Sequence, residues 1–138
     1  MIAVTINQIQ NDVHANCLLC GSKNSLSLGL CFSPGDDGDI KAIFQAHSGL
    51  QGYQGILHGG VVSSLLDSAM THCLFYQGIE AVTGDLHVRF VKSVPCDARM
   101  ELRARLLKAS PPLYRLRGEL VIDGQTMAWA EAKFMKRL

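Results

Sequence analysis

Between Val61 and Phe75 the apolar residues fall at positions 61, 62, 65, 66, 69, 70, 73 and 74. That spacing follows the 3.6-residue period and makes a wide apolar stripe, so it predicts a deeply buried helix. Elsewhere the pattern switches to alternation. Leu26 to Ser33 reads as a first strand, closed by the turn Pro34-Gly35-Asp36-Asp37-Gly38. Asp39 to Ala46 reads as a second, with Ile40, Ala42, Phe44 and Ala46 on one face. After the helix, Glu80 to Val94 predicts a strand whose Leu86, Val88 and Phe90 face the core. Thr83, Asp85 and His87 would then face solvent or a partner subunit. Pro95-Cys96-Asp97 breaks the chain before Arg99 to Ala109, where Met100, Leu102, Ala104 and Leu106 alternate with polar or charged residues. Ser110-Pro111-Pro112 turns it again. Leu113 to Ile122 and Thr126 to Lys136 flank Asp123-Gly124, a strong signal for a two-residue hairpin.

The predicted order is therefore β-β-α-β-β-β-β within one domain spanning residues 1–138. A sheet with one apolar face and one apolar helix buries both surfaces if the sheet wraps the helix, an α+β arrangement. Edge strands and the low proportion of charged residues, 18%, predict further burial between copies of the chain.

Candidate chemistry centres on Gly55-Ile56-Leu57-His58-Gly59-Gly60, immediately ahead of the helix. Glycines allow backbone to approach a ligand closely. A helix starting there presents free N–H groups and a partial positive charge. Such a terminus suits an oxygen that becomes negative during acyl transfer. Two turns further on, Asp67 places a carboxylate in an otherwise apolar helix, which is costly unless it is partnered or used. Burial would raise its pKa, while nearby donors and the helix dipole would lower it.

His58-Gly59-Gly60, with Asp67 nine residues after the histidine, resembles the hot-dog-fold acyl-CoA thioesterases, in particular the phenylacetate-pathway type. The leader Cys17-Leu18-Leu19-Cys20-Gly21, followed by Leu28-Gly29-Leu30, is also similar to the start of many members. The resemblance covers nearly the whole chain. It implies a sheet wrapped around one helix, hydrolysis of an acyl- or aryl-CoA thioester, and a site built across a homodimer or a dimer of dimers. Within it Asp67 is the general base or nucleophile, the Gly59 amide polarises the carbonyl, and His58 orients the loop or touches the thioester. Gly60, Gln54, Ser68 and Thr71 complete the expected substrate-binding set. One departure stands out: many relatives carry an asparagine six residues before the histidine, where this chain has Gly52, so Gln51 or Gln54 would have to substitute. Two other functions remain open. A non-catalytic acyl-CoA-binding module would keep the fold without turnover, and an enoyl-thioester hydratase would use an Asp/His pair ahead of the helix.

Composition narrows the remaining classes. Net charge is +1, and Arg99, Arg103, Arg105, Arg115 and Arg117 alternate along strands, so nucleic acid is not an expected partner. No serine-hydrolase order, phosphate loop or dinucleotide fingerprint is present. Met1 to Asn11 lacks the features of a secretory leader and no run has transmembrane length, so a cytoplasmic protein without membrane contact is expected. The five cysteines are then expected as reduced thiols. His14, Cys17, Cys20 and Cys31 could supply four ligands, yet a lone CxxC without a second ligand pair is read as a structural turn. No metal and no cofactor are expected, and chelators should leave fold and activity unchanged.

Overall fold

The computed structural model describes residues 13–137. Its strands are β1 (Ser33–Pro34), β2 (Ile40–Gln45), β3 (Ala81–Phe90), β4 (Arg99–Ser110), β5 (Leu113–Ile122) and β6 (Gln125–Lys136), with one long helix, α1 (Gly59–Tyr76), between β2 and β3. The strands form a single antiparallel sheet in the order β1-β2-β4-β5-β6-β3. This is the expected sheet around a helix: a hot-dog fold. Asp123 and Gly124 both adopt positive φ, 49° and 77°, as a tight β5–β6 hairpin turn requires.

Alternation decides which face each strand buries. Ile40, Ala42 and Phe44 of β2, Met100, Leu102 and Ala104 of β4, and Tyr114, Leu116 and Leu120 of β5 are all buried. Ala128, Ala130, Ala132 and Phe134 of β6 complete the apolar floor. On it lies α1, whose Leu65, Leu66, Ala69, Met70 and Cys73 are fully enclosed. The helix sits nearest β4 and β5, over a row of small residues. Ala104 pairs with Gly118, and Gly118 with Ala130. A Cβ built on Gly118 would lie 3.4 Å from the Leu66 carbonyl oxygen and 3.4 Å from Met70 Cγ. The missing side chain at this point sets how closely helix and sheet approach.

Three elements differ from the sequence expectation. Leu26 to Phe32 is irregular, and only Ser33–Pro34 pairs as strand. The reason is competition for its backbone. Leu28 and Leu30 donate to the carbonyls of Leu18 and Leu19, Ser27 and Asn24 side chains accept from Gly29 and Leu26, and Gly29 takes φ +68°. The helix begins at Gly59 rather than after the glycines, with His58 as its N-cap. Finally, β3 ends at Phe90. That side chain is 52% exposed because it projects beyond the sheltered part of the helix, against Gly59, rather than into the core.

The small-residue row makes a graded prediction for thermal or urea unfolding. Gly118→Ala puts its methyl at ordinary contact distance and should cost little. Gly118→Val forces branched atoms against the helix backbone and should destabilise by about 1–3 kcal/mol, as overpacked cores do.

Candidate active site

The loop before α1 is held by its own backbone. Gly52 N–H donates to Ile56 O, Leu57 N–H to Val94 O, and His58 N–H to Leu50 O, each at 2.8–2.9 Å. Within it the Gln51 side chain accepts from Gly55 N–H at 3.0 Å, so that side chain is engaged in the turn. Gln54 is exposed. Gly52 lies against His58: a Cβ there would come within 3.3 Å of His58 Cδ2. The His58 Nδ1 accepts from Gly60 N–H at 2.9 Å, a side-chain N-cap that consumes one of the helix's free donors. Gly59 N–H, at the first helical position, has no acceptor among the described residues. Gly52, Tyr53, Ile56, Leu57, His58 and Gly59 line an open cleft of about 460 Å³ at this terminus.

Asp67 lies eight residues further along α1, about 12 Å by helical rise. It is half-buried and has no ion-pair partner among the described residues. Its Oδ1 instead accepts a short hydrogen bond, 2.5 Å, from the Thr83 hydroxyl. Burial pushes the Asp67 carboxyl above its ordinary range, opposed by the Thr83 hydrogen bond and by the nearby His14. The desolvation side of that contest prevails.

Thr83 reaches Asp67 because of a bulge. Thr83 pairs with Phe134, whereas Asp85 pairs with Lys133, leaving Gly84 extra. An inserted residue inverts the face of everything beyond it. Thr83 consequently shares the helix-facing side with Leu86, Val88 and Phe90, while Asp85 and His87 stay on the outer face. Strict alternation had grouped Thr83 with those two. The glycine at 84 is the signal for the bulge, being the residue that interrupts an otherwise regular strand.

The remaining candidates divide. The Thr71 hydroxyl donates back to the Asp67 carbonyl at 2.9 Å, supporting the helix rather than reaching outward. Ser63 and Ser64 do the same to Gly59 and Gly60. Ser68 is buried within the helix–sheet contact. Five residues beyond Asp67, His72 is 1% exposed, stacked on Phe32 at 4.5 Å, and held neutral by burial with its pKa lowered to about 3. Two arginines of the outer face are engaged locally: Arg103 with Glu101, and Arg117 with Glu119, Glu131 and the Trp129 ring. No helix of the described residues is long and apolar enough to cross a membrane.

Residues 54–128, more than half of the chain, match the family model of the thioesterase superfamily. In sequence the chain is 30% identical over 69 residues to the acyl-coenzyme A thioesterase THEM4 of Rattus norvegicus. That stretch covers 50% of this chain and 30% of the rat protein, so the match spans under a third of the relative's length. In structure it resembles the E. coli PaaI protein from the phenylacetic acid degradation operon, with TM-score 0.82 and 17% identity over 100% of this chain and 97% of that one. It also resembles smu.793 from Streptococcus mutans bound to acetyl CoA, with TM-score 0.73 and 16% identity over 78% and 88% of the two chains.

The raised carboxyl makes a pH-dependent prediction. A carboxylate with a folded pKa above its ordinary 3.8 favours folding fully below that value and loses this contribution as pH rises through the folded pKa. Asp67→Asn should therefore melt at or above the parent temperature at neutral pH. The difference should vanish in melts recorded below pH 3.8.

Proposed function

We infer function from a premise now in hand: this chain belongs to the thioesterase superfamily. The reading it supports is hydrolysis of an acyl- or aryl-CoA thioester to the free acid and CoA. The observation that carries it is Asp67, a half-buried carboxylate of raised pKa held by the Thr83 hydroxyl at the open edge of the sheet. A carboxylate shifted upward is a better proton acceptor at neutral pH than an ordinary one. In this reading Asp67 activates water, or attacks directly, and the thioester carbon is the electrophile. The free Gly59 N–H and the helix dipole hold the carbonyl oxygen as it becomes an oxyanion. His58, whose Nδ1 holds Gly60, keeps that amide aimed outward. CoA leaves as the thiol after the tetrahedral intermediate collapses. No metal step or cofactor is required, since a thioester is already an activated acyl donor.

One carbonyl cannot touch both groups within a single chain. About 12 Å of helix separates them, whereas attack and polarisation occur within about 3 Å of adjacent atoms. Edge-to-edge pairing of β3 with a second copy resolves this. Strand β3 is the outermost strand beside β6, and it carries exposed Val82 and Phe90. A two-fold contact there would run the two helices antiparallel, setting Asp67 of one protomer near Gly59 of the other. The acyl group would enter beside the helices and CoA would lie along the seam. Acetyl CoA bound to smu.793 is compatible with that ligand class. Gly52 offers no side-chain donor, which keeps acyl-CoA binding without turnover as the alternative.

Two experiments test this. In sedimentation at micromolar concentration the chain should run at twice its 15.0 kDa or more, and a stable monomer would leave the site divided. A thiol-release assay across short, long and aryl CoA thioesters should detect turnover. Asp67→Asn should lower it by roughly 10²–10⁴ while the affinity for a substrate analogue barely changes. Hydrolysis by Asp67→Asn at the parent rate would remove the catalytic assignment and favour the binding module.

A further inference from the structure

The segment 14–21 folds into a knuckle that the thioesterase reading does not use. Gly21 N–H donates to Cys17 O at 2.8 Å and Lys23 N–H to Ala15 O at 2.8 Å, closing the chain tightly around Cys17-Leu18-Leu19-Cys20. The turn requires glycine at its end: a Cβ on Gly21 would lie 2.3 Å from Cys17 N and 2.6 Å from Ala15 O. Both sulfurs thereby point to one side, and His14, whose carbonyl accepts from Cys17 N–H at 3.1 Å, turns its ring toward them.

We propose that His14, Cys17 and Cys20 bind a zinc ion. Their ligand atoms lie within 4.8 Å of one another, and His14 Nδ1 is 3.5 Å from Cys20 Sγ. Tetrahedral zinc with Zn–S of about 2.3 Å and Zn–N of about 2.0–2.1 Å sets neighbouring S···N edges at about 3.6 Å and S···S edges at about 3.8 Å. The cluster already has those dimensions to within about 1 Å. Leu19 N–H donates to Cys17 Sγ at 3.3 Å, an amide aimed at the atom that carries negative charge once the thiol gives up its proton to bind metal. Cys31, the fourth residue suggested by the sequence, is exposed and outside the cluster, so the described residues supply three ligands and leave the remaining vertex for water. A bound water there has a recipient nearby. The His72 ring centre is 6.3 Å from that of His14, and neither of its buried nitrogens has a partner among the described residues.

The site would act as a staple. Leu28 and Leu30 hang from the knuckle through the Leu18 and Leu19 carbonyls, and His14 packs edge-on against Phe75 at 4.9 Å. A cation here ties the chain ahead of β1 to the C-terminal half of α1. The expectation of no metal rested on the absence of a second ligand pair in the sequence. The fold supplies His14 in its place.

The test uses the full chain, produced without a metal-affinity tag. Emission spectrometry should find one zinc per protomer, and chelation should lower the melting temperature reversibly. Titrating cobalt(II) into the chelated protein should give thiolate-to-cobalt charge transfer in the near ultraviolet and tetrahedral d–d bands in the visible. Cys17→Ser and Cys20→Ser should lose both signals, whereas Cys31→Ser should keep them. If the first two variants fail to fold, the cobalt spectrum of the parent decides alone. Absent charge transfer, a melt insensitive to chelation, a cobalt spectrum unchanged in folded Cys17→Ser, or a Cys17–Cys20 disulfide in protein purified without oxygen would each overturn the site.

Discussion

The close approach of α1 to the sheet at Gly118 is the constraint on which the rest depends. A Cβ there would lie 3.4 Å from the carbonyl oxygen of Leu66, the residue immediately before Asp67, so anything larger than a methyl would press on the helix backbone. Because Ala104, Gly118 and Ala130 stand side by side across three strands, the helix rests in a shallow trough rather than on a ridge. Larger side chains would lift the helix and carry Asp67 away from β3. The packing of small residues therefore reaches the chemistry: it sets the height at which a carboxylate on the helix meets a hydroxyl on the neighbouring strand.

That meeting needs a second device, the bulge at Gly84. A regular strand would direct Thr83 away from the helix, and Asp67 would be left half-buried with no donor. Leaving a partly desolvated carboxylate without any hydrogen bond is costly. The Thr83 hydroxyl offsets part of this cost without abolishing it, and the carboxyl stays raised. A residual strain of this kind is what a proton-accepting group at neutral pH requires, and a purely structural acid would gain nothing from it.

The same strand gives the molecule its open side. β6 covers one edge of β3, while the other leaves backbone groups and apolar side chains such as Val82 and Phe90 in solvent. Phe90 leans against Gly59, and Thr83 holds Asp67 near the far end of β3. Both halves of the proposed chemistry are thus distributed along one edge strand, which makes association and catalysis a single question.

Much of this was legible in the chain itself. The 3.6-residue period identified α1, and alternation identified β2 and the β4 to β6 strands to within a residue or two, because burial of one face imposes that periodicity directly. Asp67 stood out as a lone carboxylate in an apolar helix, and Gly59 as a backbone donor at its start. Thr83 did not, since alternation assigns a strand's faces by parity and one extra residue at Gly84 reverses the parity. Nor did the ordered but irregular stretch 26–32, whose alternating leucines mimic a strand while its amides bond to the cysteine knuckle. Residue order determined which elements form, since local periodicity and turn chemistry are written within a few positions. Only the tertiary structure decided that His14 joins Cys17 and Cys20 and that Thr83 meets Asp67, because those relations depend on distances across the folded chain.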